Sequence, residues 1–352
     1  MMLPKRSQIA MTMSLVVLLP VILLGIVGTL CFVGCAFHSG GLGGGPPFTS
    51  YSGTTILANS PNCIAYWPLK EVNDTDPAHD LVSQNHGKYI DPATVTPPNT
   101  VYPWIDYKVK NGANPDVLSA AAPGTLMQAQ PTIVAGDVDL LPGDPLVPAC
   151  MVVNGAYVEV PWNDKFIPKV SFTVEAWVRV DWTAADPHAW RFVLDMREQL
   201  PVTTGFAIYA KAEDNAPGMY SWAAIIGDGS SKFVFMDSAE APVALKGSGA
   251  EADISVYLAL TYNSATQTLT LFVNGVQAAQ LTQVGYAPNA AQVLWIGAGS
   301  PYTARRTQPA DPNVVASPLF PFVGAIQDVA IYSEALADTV IVKHFDNGSG
   351  NQ

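Results

Sequence analysis

The sequence predicts an all-β protein, a two-sheet antiparallel sandwich, preceded by one N-terminal transmembrane helix. Three observations predict it. Residues 11–37 form a run without a single charge. A stretch rich in Gly and Pro follows. Beyond residue 60 the apolar side chains recur at period two, with turn signals between the runs.

The N-terminal segment comes first. Lys5 and Arg6 precede the apolar run, and the next charged residue is Lys70. About 20 apolar residues suffice to cross the hydrocarbon core of a bilayer. Positive charge before the run and none close behind it place residues 1–10 in the cytoplasm and the remainder on the extracytoplasmic side, periplasmic or extracellular. A retained anchor over 11–37, a cleaved signal and a lipoprotein signal all export the rest of the chain. For the last, Phe32-Val33-Gly34-Cys35 resembles a lipobox, with Cys35 as the lipidated residue. Residues 38–60 form the linker. Its Gly40, Gly41, Gly43, Gly44, Gly45, Pro46 and Pro47 suit a flexible tether and no regular element.

The exported part reads as strands. Phe172, Val174, Ala176, Val178 and Val180 alternate with Thr173, Glu175, Trp177 and Arg179, which is the pattern of a half-buried strand. Leu258–Tyr262 and Thr268–Val273 are two more. Asn274-Gly275 then links Thr268–Val273 to Val276–Leu281, and both residues tolerate the positive φ of a tight hairpin turn. Residues 205–210, 221–226 and 326–332 complete the set. One helix is predicted near the end, capped by Ser333, with Glu334 in its first turn and Leu336, Val340 and Ile341 at helical spacing.

Composition narrows the function. The 352 residues carry 17 Lys and Arg against 29 Asp and Glu, a formal net charge of −12. Nucleic acid, whose phosphates need clustered cations, is excluded as a partner. With 49% hydrophobic and 13% charged residues the chain is also no disordered acidic tail.

Four segments carry a family resemblance. They are Ile64–Glu71, the Asp/Ser/Asn/Gly loop Asp80–Gly87, Asn154–Pro161 followed by Ser171–Val178, and Phe322–Tyr332 followed by Ser333–Leu336. In order and spacing they resemble the laminin-G-like, concanavalin A-like jelly-roll domain. The resemblance implies one jelly-roll domain over residues 61–348, with a surface insertion at about 91–149. It implies a structural calcium ion on Asp80, Asn85, the Gly87 carbonyl and Asp328, pinning the N-terminal strand to the C-terminal one. The other reading of the 80–87 loop is an Asx turn held by ordinary hydrogen bonds. The family topology would also bring the strands after Cys63 and Cys150 close, and an oxidising compartment permits a disulfide between them. The alternative is two buried thiols.

Catalytic residues are not expected. Related glycosidases carry paired carboxylates on one strand, and glycoside hydrolysis needs two of them. The corresponding strand here offers Glu175, with Asp181 at its end. His38, His79, His86, His188 and His344 show no metalloprotease spacing, and Gly227-Asp228-Gly229-Ser230 reads as a turn. Trp162, Trp182, Trp190 and Trp222 either stack on sugar rings or pack in the fold, and Arg305-Arg306 lies in a Pro-rich loop. Asn73-Asp-Thr and Asn347-Gly-Ser are glycosylation sequons. The expected function is a non-catalytic, membrane-anchored binding module for a glycan or a protein of the membrane or envelope. The alternatives are an accessory subunit of a larger membrane complex and, behind it, a polysaccharide-cleaving enzyme. No organic cofactor is expected.

Overall fold

A computed structural model describes residues 51–57, 61–71, 76–90, 151–154, 157–180, 190–198, 201–212, 220–243, 255–299 and 322–349. All of them belong to one compact unit, residues 45–352. The apolar run 11–37, residues 38–50 of the expected linker and the insertion at 91–149 lie outside the described residues, whereas residues 51–57, expected within the linker, form a short helical turn with Tyr51 and Ile56 buried against the fold. No helix among the described residues is long and apolar enough to cross a membrane.

In chain order the strands are β1 (Cys63–Trp67), β2 (Lys88–Ile90), β3 (Met151–Asn154), β4 (Tyr157–Val160), β5 (Phe172–Val180), β6 (Trp190–Asp195) and β7 (Phe206–Ala212). They continue as β8 (Tyr220–Ile226), β9 (Val234–Val243), β10 (Ser255–Asn263), β11 (Thr268–Val273), β12 (Val276–Leu281), β13 (Leu294–Ile296) and β14 (Val323–Tyr332). One helix, α1 (Asp338–Ser349), follows, and a short helical turn, Ser52–Leu57, precedes β1. The strands form two antiparallel sheets. The first runs β1-β14-β5-β10-β11-β12, with β3 also on β14; the second runs β2-β4-β13-β6-β7-β8-β9.

The alternation expected for residues 172–180 is what buries the core. Phe172, Val174, Ala176, Val178 and Val180 face the second sheet and meet Phe206, Ile208, Trp222, Leu294 and Ile296 in one cluster. Phe172 stacks on Phe206 with ring centroids 4.5 Å apart. Burying each such side chain contributes about 1.5–3 kcal/mol. The other face of β5, expected to be polar and half-exposed, is buried as well. Tyr51, Ile56, Tyr66, Trp177, Tyr257, Tyr332, Leu336 and Ile341 form a second apolar layer there. It lies between the first sheet, the turn Ser52–Leu57 and α1.

The hairpin at Asn274-Gly275 forms as expected, with φ of +52° and +74° at the two residues. The Asn274 side chain also accepts the Tyr257 N–H at 2.9 Å, which ties the turn to β10. The helix starts later than the sequence suggests. Ser333 N donates to Asn62 O at 2.9 Å, and Leu336 N donates to Thr173 Oγ1 at 2.8 Å. The sheet edge therefore takes the polar groups of residues 333–336 before a helix can use them, and α1 begins at Asp338.

Candidate functional site

The expected calcium ligands fall into two networks that meet at Tyr66. The Asp80 carboxylate is ringed by donors. Its Oδ1 accepts the N–H groups of Tyr66 at 3.0 Å, Val82 at 2.9 Å and Ser83 at 3.2 Å. Its Oδ2 accepts Asn85 N at 3.1 Å and the Ser83 hydroxyl. The Gly87 carbonyl accepts Ala78 N at 2.9 Å. Asn85 donates its amide to Pro161 O at 2.8 Å, and its backbone carbonyl accepts the Trp67 indole at 3.1 Å. This is the Asx-turn arrangement.

Asp328 is linked to that loop through Tyr66. It adopts φ +52° at a bulge in β14, a conformation that Asp tolerates better than most residues. It accepts the Tyr66 hydroxyl, and its Oδ2 lies 3.7 Å from the Lys70 ammonium. Calcium requires six to eight oxygen lone pairs converging on one point. The hydrogen atoms around Asp80 and the ammonium beside Asp328 present positive charge instead, so the residues do not fit the ion. The described residues contain no group of three or more His, Cys, Asp or Glu able to hold a metal.

Cys63 is a free thiol whose Sγ donates to Ala65 O at 3.4 Å. Burial, and after it the charge of Glu175, pushes that thiol far above its ordinary pKa. Cys35 and Cys150 lie outside the described residues. Cys63 pairs with Tyr332 and Met151 with Ile326 on the same edge of β14. Those positions are on the order of 20 Å apart along a strand, whereas a disulfide needs its Cα atoms within about 7 Å.

Glu175 is not on an open face. It is 1% exposed, beneath α1. Tyr257 donates to its Oε2 at 2.5 Å and Tyr332 to its Oε1 at 2.8 Å. His344 Nδ1 lies 3.0 Å and 3.2 Å from the two oxygens. Burial first, and then the Glu175 charge, holds both phenols well above the ordinary tyrosine pKa. They remain donors throughout the accessible pH range. A carboxylate enclosed in this way has no path to a glycosidic bond. Asp181 lies outside the described residues.

A different row of groups crosses the outer face of the second sheet. Lys88 pairs with Glu159, Glu159 with Trp295, and Trp295 with Asp195, across β2, β4, β13 and β6. Directly opposed residues share a face, so two carboxylates flank one indole. The Asp195 carboxylate is clamped by Arg197, at 2.9 Å from Nε and 2.6 Å from Nη2. That guanidinium stacks 4.7 Å over the Phe192 ring. Burial raises the pKa of Glu159, and the neighbouring Lys88 charge partly offsets the effect. Tyr157 lies against Trp295 with centroids 5.0 Å apart. The Trp295 Nε1–H is buried and has no hydrogen-bond partner among the described residues. Tyr157 and Glu159 lie in a segment whose family pattern is visible in the sequence. Trp295 and Asp195 were missed, because only strand pairing brings them beside Glu159.

The other candidates sort themselves by burial. Trp222 is in the core, and Trp190 packs on Tyr209 and Phe192. Trp162 is 36% exposed. Trp182 and Arg305-Arg306 lie outside the described residues, as does Asn73. The Asn347 amide donates to Thr55 Oγ1 at 2.9 Å, which occupies the group a glycan would need.

This architecture defines a two-sheet jelly-roll sandwich, and the family comparison agrees. The Laminin_G_3 model of the Concanavalin A-like lectin/glucanases superfamily matches residues 153–342, over half of the chain, and the protein belongs to that family. No curated protein matches the sequence. Among solved structures, the chain is similar to the binding domain of botulinum neurotoxin serotype D, with 13% identity and a TM-score of 0.43, covering 81% of this chain and 51% of that one. It is also similar to a botulinum neurotoxin type C structure described by its interaction with two ganglioside molecules, with 11% identity, a TM-score of 0.45, and coverage of 83% and 52%. A third is the Ruminococcus gnavus IT-sialidase CBM40 bound to alpha2,6 sialyllactose, with 16% identity, a TM-score of 0.35, and coverage of 50% and 84%. The chain spans about half the length of the neurotoxin domains.

Proposed function

We propose that the protein is a non-catalytic binding module, anchored through residues 11–37, that presents its sandwich outside the cytoplasm and recognises a glycan. Family membership admits lectins and glucanases alike. The enclosure of Glu175 by two phenols and an imidazole supports binding rather than cleavage. The observation that carries the reading is that enclosure, in a sandwich whose family includes lectins. Trp162, 36% exposed, is an aromatic ring open to such a ligand. Sugars are recognised by aromatic faces combined with a few fixed polar groups.

The test is a glycan array probed with the full chain, followed by affinity measurement on any glycan found. Trp162→Ala removes the exposed ring. It is expected to weaken binding roughly tenfold, about 1.4 kcal/mol, with the melting temperature retained. Unchanged affinity in Trp162→Ala removes that ring as a glycan contact. An empty array combined with a stoichiometric protein partner in gentle detergent favours an accessory subunit instead.

A further inference from the structure

We propose that Lys70 supplies, from within the chain, the positive charge that a calcium ion was expected to supply between the first and last strands. The four expected ligands do not converge on an ion. Asp80 meets five hydrogen-bond donors, and the Gly87 carbonyl is already used by Ala78. What remains is Asp328, fully buried in β14 at a left-handed residue.

A buried carboxylate needs a countercharge. The chain leaves β1 at Trp67, and Asp328 N donates to Pro68 O at 3.2 Å. The left-handed backbone at Leu69, φ +57°, lies between this contact and Lys70. The ammonium then lies 3.7 Å from Asp328 Oδ2, with the two side chains 2% and 0% exposed. Tyr66, from the middle of β1, donates its hydroxyl to the other oxygen of the same carboxylate. One residue of the last strand thus holds both the body of the first strand and the segment that follows it. This is the pinning role expected of the ion, performed by a covalently tethered monovalent cation.

The consequence is a domain whose stability does not depend on calcium. A ligand that binds only the folded state raises its melting temperature in proportion to occupancy. The full chain should therefore melt at the same temperature with chelator and with millimolar calcium. A fall on chelation or a rise with calcium overturns the proposal. Asp328→Asn tests the ion pair itself. It keeps the side-chain shape, a hydrogen-bonding oxygen for Tyr66 and the tolerance of positive φ, while removing the negative charge opposite Lys70. Its melting temperature should fall by roughly 6 °C or more, the shift for losing one partner of a buried pair in a domain of this size. Lys70→Met should fall comparably, and the double variant should fall by less than the sum of the two. An unchanged melt in Asp328→Asn overturns the proposal. If neither single variant folds, the calcium and chelator measurement on the parent chain decides alone.

Discussion

Replacing Glu175 by Ala tests whether this carboxylate is structural. The substitution removes the acceptor of two phenols and an imidazole in a site with 1% exposure. A buried donor left without an acceptor costs about 1–3 kcal/mol. Breaking a buried charged network by truncating one partner costs about 3–5 kcal/mol in total. In a domain of this size each kcal/mol moves the melting temperature by about 2–4 °C, so the expected fall is on the order of 10 °C. Glu175→Gln retains one acceptor and offers two donors, and its fall should be a few degrees. The assay is thermal denaturation followed by tryptophan fluorescence, because Trp177 packs in the same layer as Tyr257. A Glu175→Ala melt within about 2 °C of the parent refutes the structural reading. So does a polysaccharide-cleaving activity lost in Glu175→Gln at unchanged stability.

Three further outcomes are expected. Gly324→Ala should be strongly destabilising in the same melt, because the backbone has φ +148° and a Cβ would stand 1.9 Å from the Arg179 carbonyl oxygen. Asn274→Ala should lower stability by about 1–2 kcal/mol in denaturant titration, since it loses both a left-handed turn residue and a hydrogen bond to β10. Burial alone would raise the Asp228 pKa, but hydrogen bonds from Ser230, from its own backbone and from Thr203 outweigh it and hold the carboxyl below its ordinary value of 3.8. Its stabilising contribution is therefore full above that value and disappears as pH falls through the lower folded pKa. Asp228→Asn should remove that part of the acid dependence in melts recorded from neutral pH downward.

Much of the sandwich was legible because burial imposes a period of two. Phe172–Val180 alternates without interruption, and Asn274-Gly275 can serve few purposes other than a hairpin turn. Two shorter or edge elements carried less signal. β13 has three residues, too few to show a period, and β9 holds Asp237 and Pro242 at the sheet edge, where polar residues and Pro are tolerated. The second burial of β5 was illegible in principle. Trp177 and Glu175 look like an outward-facing pair until a helix more than 150 residues later in the chain is laid over them. The site followed the same logic. Family pattern pointed to Asp80 and Asp328, but whether their oxygens meet a metal or hydrogen atoms depends on where Lys70 and the loop N–H groups come to rest. Likewise, nothing in the order of the chain puts Trp295 between Glu159 and Asp195.

The hydrogen bond between Asn347 and Thr55 joins residues 292 positions apart. Together with the neighbouring pairing of Cys63 and Tyr332, it makes the described fold topologically almost a ring. Cyclic reordering of the polypeptide, with a short bridge from residue 349 to residue 51 and new termini cut into the exposed turn at Ala265–Thr266, would leave every rung of both ladders intact. It would also turn the domain end for end relative to whatever was fused to it.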